Sequence, residues 1–156
     1  LALEPKFVLL DEPTTGLDVI VQRSILENLR SIQREQGFAV LFISHDLGTV
    51  MEVCDRVMVM YAGEIVEEQA TRDMLRAPQH PYTRGLLGSI PRLSLRGQPI
   101  RPIEGQVPDL ISLPPQCRFY SRCRERMDAC LQPIAMHDAG ENRQARCIKL
   151  AEETVA

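Results

Sequence analysis

Apolar residues fall into two short unbroken runs, Phe7-Val8-Leu9-Leu10 and Phe38-Ala39-Val40-Leu41-Phe42-Ile43, separated by a longer stretch of helical period. Runs of this length with no polar alternation predict strands buried on both faces, in the middle of an α/β sheet. Between them Val21, Ile25, Leu29 and Ile32 recur at helical spacing and predict an apolar stripe in the core. Asp18 is placed to cap that helix and Gly37 to end it in the left-handed conformation. Asp46 is a second cap, for a helix over Leu47–Val53, with Cys54 as a core thiol at its end. Arg56–Met60, the Ala62-Gly63 turn and Glu64–Glu68 then predict a hairpin, followed by a short helix capped by Thr71.

Both buried runs exit into chemistry. The first ends in Asp11-Glu12-Pro13 and continues as Thr14-Thr15-Gly16-Leu17-Asp18; the second ends in Ser44-His45-Asp46. Adjacent carboxylates at the carboxyl end of an α/β strand stand where such sheets bind ligands, and they suit a cation or a water held between them. A hydrolase triad is not implied by Ser44-His45-Asp46, because triad side chains must converge on one another and three consecutive residues do not.

This order of elements resembles the second half of the nucleotide-binding domain of ABC transporters, over Leu1 to about Glu68. The resemblance implies that Asp11, ending a Walker B strand, holds the Mg²⁺ of MgATP, and that Glu12 orients and polarises the attacking water. It further implies that Asp18 closes a loop at the dimer seam, and that His45 contacts the γ-phosphate. It also places a strand, absent here, between the one ending at Ile43 and the one starting near Arg56. The expectation is parallel pairing of Val8–Leu10 with Val40–Ile43 and a gap or strained closure before Val57–Met60. No G-x-x-x-x-G-K-[ST] run occurs in the sequence, so the phosphate cradle and the phosphate lysine are missing. The chain is expected to be the carboxyl-terminal part of a longer subunit and inactive as an ATPase alone.

Composition changes after residue 76. A short helical run from Pro78-Gln79-His80-Pro81-Tyr82-Thr83 is expected to end near Pro91, and prolines then hold the chain extended from Gly97 to Pro115, with one short strand at Arg101–Glu104. This region resembles the carboxyl-terminal extension of oligopeptide and dipeptide ABC importers, in its P-x-H-P-Y-T element and in Gln116-Cys117-Arg118-Phe119-Tyr120-Ser121-Arg122-Cys123. His80 is expected to be a packing or surface histidine. The fold class expected is therefore α/β: the carboxyl-terminal half of a P-loop ABC domain (1–76), with an incomplete, mostly parallel sheet, plus a small irregular Cys-rich extension (77–156).

Charge and composition narrow the partners. A net charge of −3, with four Phe, three Tyr and no Trp, offers neither general attraction to nucleic acid nor a base-stacking platform. No run reaches the length of a transmembrane helix, so membrane association would go through a partner. The resemblance implies permease subunits and a second ATP-binding subunit as those partners, on the cytoplasmic face of the membrane. Two rival readings are another ABC-type ATPase, whose long coiled coils have no heptad counterpart here, and a non-catalytic metal module on an ATPase remnant.

Cys117, Cys123, Cys130 and Cys147 stand at C-x₅-C-x₆-C-x₁₆-C in the last quarter of the chain. Zinc sites favour C-x₂₋₄-C pairs, and none occurs here. Ser121 reads as an N-cap that would put Cys123 and Cys130 on one helix. Seven residues of helix rise about 10.5 Å, whereas sulfurs on one zinc stand about 4 Å apart. A [4Fe–4S] cluster accepts more dispersed cysteines. The importer resemblance points the same way, with Zn²⁺ as the competitor and Arg118, Arg122, Arg124, Arg126 and Arg146 expected to offset the thiolate charge.

Overall fold

The computed structural model describes residues 4–89, 102–140 and 142–153, with the side chains described as far as residue 150. The chain divides into two compact units, Leu1–Cys54 and Asp55–Ala156. The composition change at residue 76 thus lies inside the second unit.

In the first unit β1 (Phe7–Asp11), α1 (Val19–Gln36), β2 (Ala39–Ile43) and α2 (Leu47–Val53) follow in order. β1 and β2 pair in parallel from Phe7 opposite Ala39 to Asp11 opposite Ile43, the register expected from the sequence. α1 begins where Asp18 accepts the N–H groups of Ile20 and Val21, both at 3.0 Å. It stops at Gly37, whose φ of 71° only a residue without a Cβ adopts at no cost. These two strands form a sheet by themselves, and β3 belongs to a different one.

Burial departs from the sequence reading. Phe7 and Leu9 are 58% and 56% exposed, and Leu41 and Ile43 are exposed as well. A central α/β strand is buried on both faces only when neighbouring strands and both helix layers surround it. Among the described residues each of these strands has one hydrogen-bonded neighbour. The expected stripe on α1 is corrected likewise: Val21, Ile25 and Ile32 are exposed and Leu29 is half-buried, and among the described residues the buried apolar ones of this unit are Leu26, Phe38 and Val50. Cys54 is half-buried at the end of α2 rather than a core thiol.

The second unit starts with the hairpin β3 (Arg56–Tyr61) and β4 (Glu64–Ala70). Its two-residue turn has Ala62 at φ 47° and Gly63 at φ 82°, the paired positive values that match the twist of a tight hairpin. Val57, Val59 and Tyr61 point inward, while Arg56, Met58 and Met60 are exposed. β4 also pairs with β6 (Gln144–Ala145), which pairs with β5 (His137–Asp138), so the carboxyl-terminal residues complete a four-stranded antiparallel sheet. α3 (Thr71–Arg76) starts at Thr71 itself, and its cap position is Ala70, not the threonine.

α4 (Pro81–Gly88) opens with proline in its first turn, where a missing N–H is harmless. It ends at Gly88; Pro91 and residues 97–101 lie outside the described residues. No strand forms over 102–104, because the carbonyls of Ile103 and Glu104 bond to Arg122, at 2.8 and 2.9 Å, instead of to a partner strand. The chain then makes two single 3₁₀ turns, Tyr120–Arg122 and Asp128–Leu131, and closes with α5 (Ile148–Glu153). Tyr61, Tyr82 and Phe119 pack ring on ring at centroid distances of 4.6 to 5.4 Å, joining the hairpin, α4 and the cysteine loops. Among the described residues no helix is long and apolar enough to cross a membrane.

Candidate functional site

At the carboxyl ends of β1 and β2 the structure brings Glu12 and His45 together. Glu12 adopts φ 48°, a costly left-handed conformation for a non-glycine residue, while its N–H still bonds to Ile43 O at 2.9 Å. Its Oε1 accepts the backbone N–H of His45 at 3.0 Å, and both carboxylate oxygens lie 2.9 Å from His45 Nδ1. Thr15 donates its hydroxyl to Oε2 at 2.7 Å. Asp11 is exposed at the last position of β1, and Asp18 spends its carboxylate on the α1 cap.

Thr15 and then His45 hold the Glu12 carboxyl below its ordinary 4.5, and the Glu12 hydrogen bond raises His45 above its ordinary 6.5. The lowered carboxyl contributes above 4.5 and is lost as pH falls through its folded value. The raised imidazole contributes below 6.5 and is lost as pH rises through its folded value. The ion pair is therefore fullest between 4.5 and 6.5. In an NMR titration of this chain His45 should show a midpoint above 6.5, returning towards 6.5 in Glu12→Gln. An unchanged midpoint would show that the pair does not form in solution.

Gln22 of α1 joins this cluster, a role the sequence did not suggest. Gln22 donates to Thr49 Oγ1 at 2.6 Å, and Thr49 donates to Asp46 Oδ2 at 2.6 Å, next to His45. The Asp46 carboxyl is held low by the Thr49 hydroxyl. The Asp-x-x-Thr spacing signals that cap locally. Gln22 has no local signal, since it meets Thr49 across 27 positions.

In the second unit Cys117, Cys123, Cys130 and Cys147 line one cavity of about 20 Å³, with His80, Phe119, Ile134, Arg146 and Lys149 in its wall. Cys123 and Cys130 are buried; Cys117 and Cys147 are half-buried. They do not share a helix. Cys123 follows the first 3₁₀ turn in extended backbone, and Cys130 sits in the second. The helical-rise argument against zinc assumed that helix and falls, while the lack of a C-x₂₋₄-C pair stands. Cys117 N–H bonds to Cys130 O at 3.0 Å, tying the two loops together.

The donor chemistry suits a thiophilic metal. Burial pushes the Cys117 thiol up to about 11 and raises Cys123 and Cys147 too, so without a cation these thiols keep their protons. Opposing that, the backbone N–H two residues on, at Phe119, Glu125 and Lys149, bonds to the sulfurs of Cys117, Cys123 and Cys147 respectively. Such bonds favour thiolate. As placed, no three His, Cys, Asp or Glu among the described residues form a ready ligand group. The four cysteines thus line one cavity without being closed on a centre.

The arginines are corrected. Arg118 donates to Ala62 O and pairs with Glu64 at 3.1 Å; Arg122 takes Ile103 and Glu104; Arg124 pairs with Glu104 at 2.7 Å. Arg126 lies over the Tyr120 ring, and Arg146 donates to Ile65 O and Ile134 O. They tie irregular backbone together, and of the five only Arg146 lines the cavity. Loops short of ladder bonds need such donors.

His80, 2% exposed, is the packing histidine expected, but it is also the cap of α4: its Nδ1 accepts Tyr82 N–H at 3.1 Å. Burial, then the Arg84 charge, lowers it to about 4, so the ring is neutral. Behind it lies a residue that the sequence reading missed. Glu67, fully buried on β4, accepts Gln79 N–H at 2.7 Å, His80 N–H at 2.8 Å and the Gln69 amide at 2.6 Å. Glu64 and Glu68 on the same strand are only half-buried, and no local signal separates Glu67 from them.

Residues 66–130 match a family described as the oligopeptide/dipeptide transporter C-terminal region. The chain is 52% identical over 130 residues to the dipeptide transport ATP-binding protein DppD of Bacillus subtilis, across 83% of this chain and 39% of that protein. It is 43% identical to the oligopeptide transport ATP-binding protein AppD of the same organism, across 98% of this chain and 47% of that protein. To the oligopeptide transport ATP-binding protein OppD of Salmonella typhimurium it is 41% identical, across 98% and 46%. The chain thus spans less than half the length of these curated relatives.

Proposed function

We propose, from the premise that this chain belongs to the oligopeptide/dipeptide transporter family, that the subunit containing it binds MgATP and hydrolyses it to drive peptide import. The observation that carries the reading is the convergence of Glu12 and His45 at the carboxyl ends of two parallel strands. The relatives' names support this over the metal-module alternative and over other ABC-type ATPases. In this reading residues 1–76 are the ABC portion and 77–156 the importer extension. Its partners are a second ATP-binding subunit and transmembrane permease subunits, and it works peripherally on the cytoplasmic face of the membrane, without nucleic acid.

Each residue then has a role that its place supports. Asp11, exposed at the end of β1, would hold Mg²⁺, which neutralises phosphate charge when bound. Glu12 takes the proton of the attacking water, and Thr15 and His45 aim its carboxylate. With Nδ1–H on Glu12, the protonated ring of His45 has an Nε2–H left to donate to a γ-phosphate oxygen. Asp18 fixes the start of α1 and with it the loop that would meet the second subunit. The assignment fails if the full-length subunit hydrolyses ATP normally with Glu12 replaced by glutamine.

For the extension we propose a four-thiolate [4Fe–4S] centre on Cys117, Cys123, Cys130 and Cys147, structural or regulatory rather than catalytic. Four cysteines round one cavity, three with backbone N–H donors on sulfur, support it. The small cavity, about 20 Å³, favours Zn²⁺ as a second reading. Anaerobically purified full-length subunit should be brown, with iron and sulfide near about four each per chain, and Cys130→Ser should lose both. Colourless protein with stoichiometric zinc would replace the cluster; protein with neither metal would end both readings.

A further inference from the structure

We infer that His80 is a hydrogen-bond donor to the four-cysteine site, presenting an Nε2–H to the cavity that Cys117, Cys123, Cys130 and Cys147 line. This rests on the metal reading of that site and assigns a role that the ligands alone do not account for.

The argument starts from the tautomer. A backbone N–H can only donate, so the Tyr82 N–H at 3.1 Å requires a lone pair on Nδ1. In a neutral ring the proton is then on Nε2. Burial and the low value of about 4 keep the ring neutral across the physiological range. His80 is 2% exposed and stands in the wall of the cysteine cavity, with Nδ1 already taken by the Tyr82 N–H. An N–H donor in that wall has sulfur within the same cavity, and thiolate or sulfide sulfur is an acceptor.

The donor is also held rigidly. Glu67 grips the N–H groups of Gln79 and His80 at 2.7 and 2.8 Å, the α4 cap pins one edge of the ring, and Phe119 packs at 5.8 Å. Glu67 is therefore the positioning residue for His80. A fixed N–H on sulfur stabilises the more negative state of a metal–thiolate centre and so raises its reduction potential.

His80→Asn separates the roles. Asparagine is a good N-cap and keeps an acceptor for Tyr82 N–H, but it is too short to replace the Nε2 donor. His80→Phe removes both cap and donor and keeps the ring volume. In full-length subunit, metal content is measured first. With iron present, His80→Asn should keep the metal and shift the reduced-to-oxidised ratio at fixed potential about tenfold towards oxidised, or about 59 mV for one electron. His80→Phe should shift it the same way. With zinc present, cobalt(II) replaces it, and the thiolate-to-cobalt absorption should move to lower energy in both variants. An unchanged potential or absorption in metal-loaded His80→Asn overturns the inference while leaving the metal site standing. Loss of metal from His80→Asn also overturns it, since His80 would then be holding the site rather than tuning it. Wild-type subunit with no metal at the cysteines overturns the metal reading, and this inference with it.

Discussion

Glu12→Gln in the full-length subunit should lower ATP turnover by about two to four powers of ten while nucleotide binding persists. The amide keeps the shape and can still accept the His45 N–H through its oxygen, now held at 3.0 Å. It cannot take a proton from water, nor hold a protonated imidazole with both oxygens as the carboxylate does at 2.9 Å. Turnover and binding should therefore separate: steady-state hydrolysis falls, and equilibrium titration with nucleotide shows near-normal affinity. Equal loss of both would mean that Glu12 holds the loop and does no chemistry. Turnover close to normal would remove the base from Glu12 altogether.

The largest structural effect should come from Glu67→Gln. Both oxygens of this fully buried carboxylate accept bonds, two from backbone N–H groups and one from an amide. Replacing one oxygen by NH₂ turns a donor against a donor. Bonds to charged groups contribute about 1.5–3 kcal/mol each, and a buried N–H left unpaired costs about 1–3 kcal/mol. The turn at Gln79-His80 should therefore lose on the order of 3 kcal/mol, or about a hundredfold in amide protection. Hydrogen exchange read on the peptide across residues 77–83 of the full-length subunit measures this directly. Protection equal to wild type would show that another contact holds the turn.

Features set within a few residues were legible from the sequence alone. Asp18, Gly37 and Asp46 cap because their own side chains or conformational freedom meet the helix ends beside them. The Ala62-Gly63 hairpin is equally local, since two left-handed residues suffice to turn the strand back. The Asp-Glu and Ser-His-Asp strand exits were visible in the same way, and parallel pairing of two strands joined by one helix brought Glu12 and His45 together. Burial is another matter, because it depends on what stands opposite: Phe7 and Leu9 on β1 and Val21, Ile25 and Ile32 on α1 belong to patterns apolar enough for a core yet remain exposed. The helix expected over Cys123–Cys130 gave way to extended backbone and 3₁₀ turns, held by arginine-to-carbonyl bonds and by Cys117 N–H on Cys130 O. Those partners lie far along the chain or in loops with no periodicity to reveal them. Only tertiary structure could turn Glu67, one acid in an acidic row, into the buried anchor of the His80 turn, because β6 and that turn cover it from distant parts of the sequence.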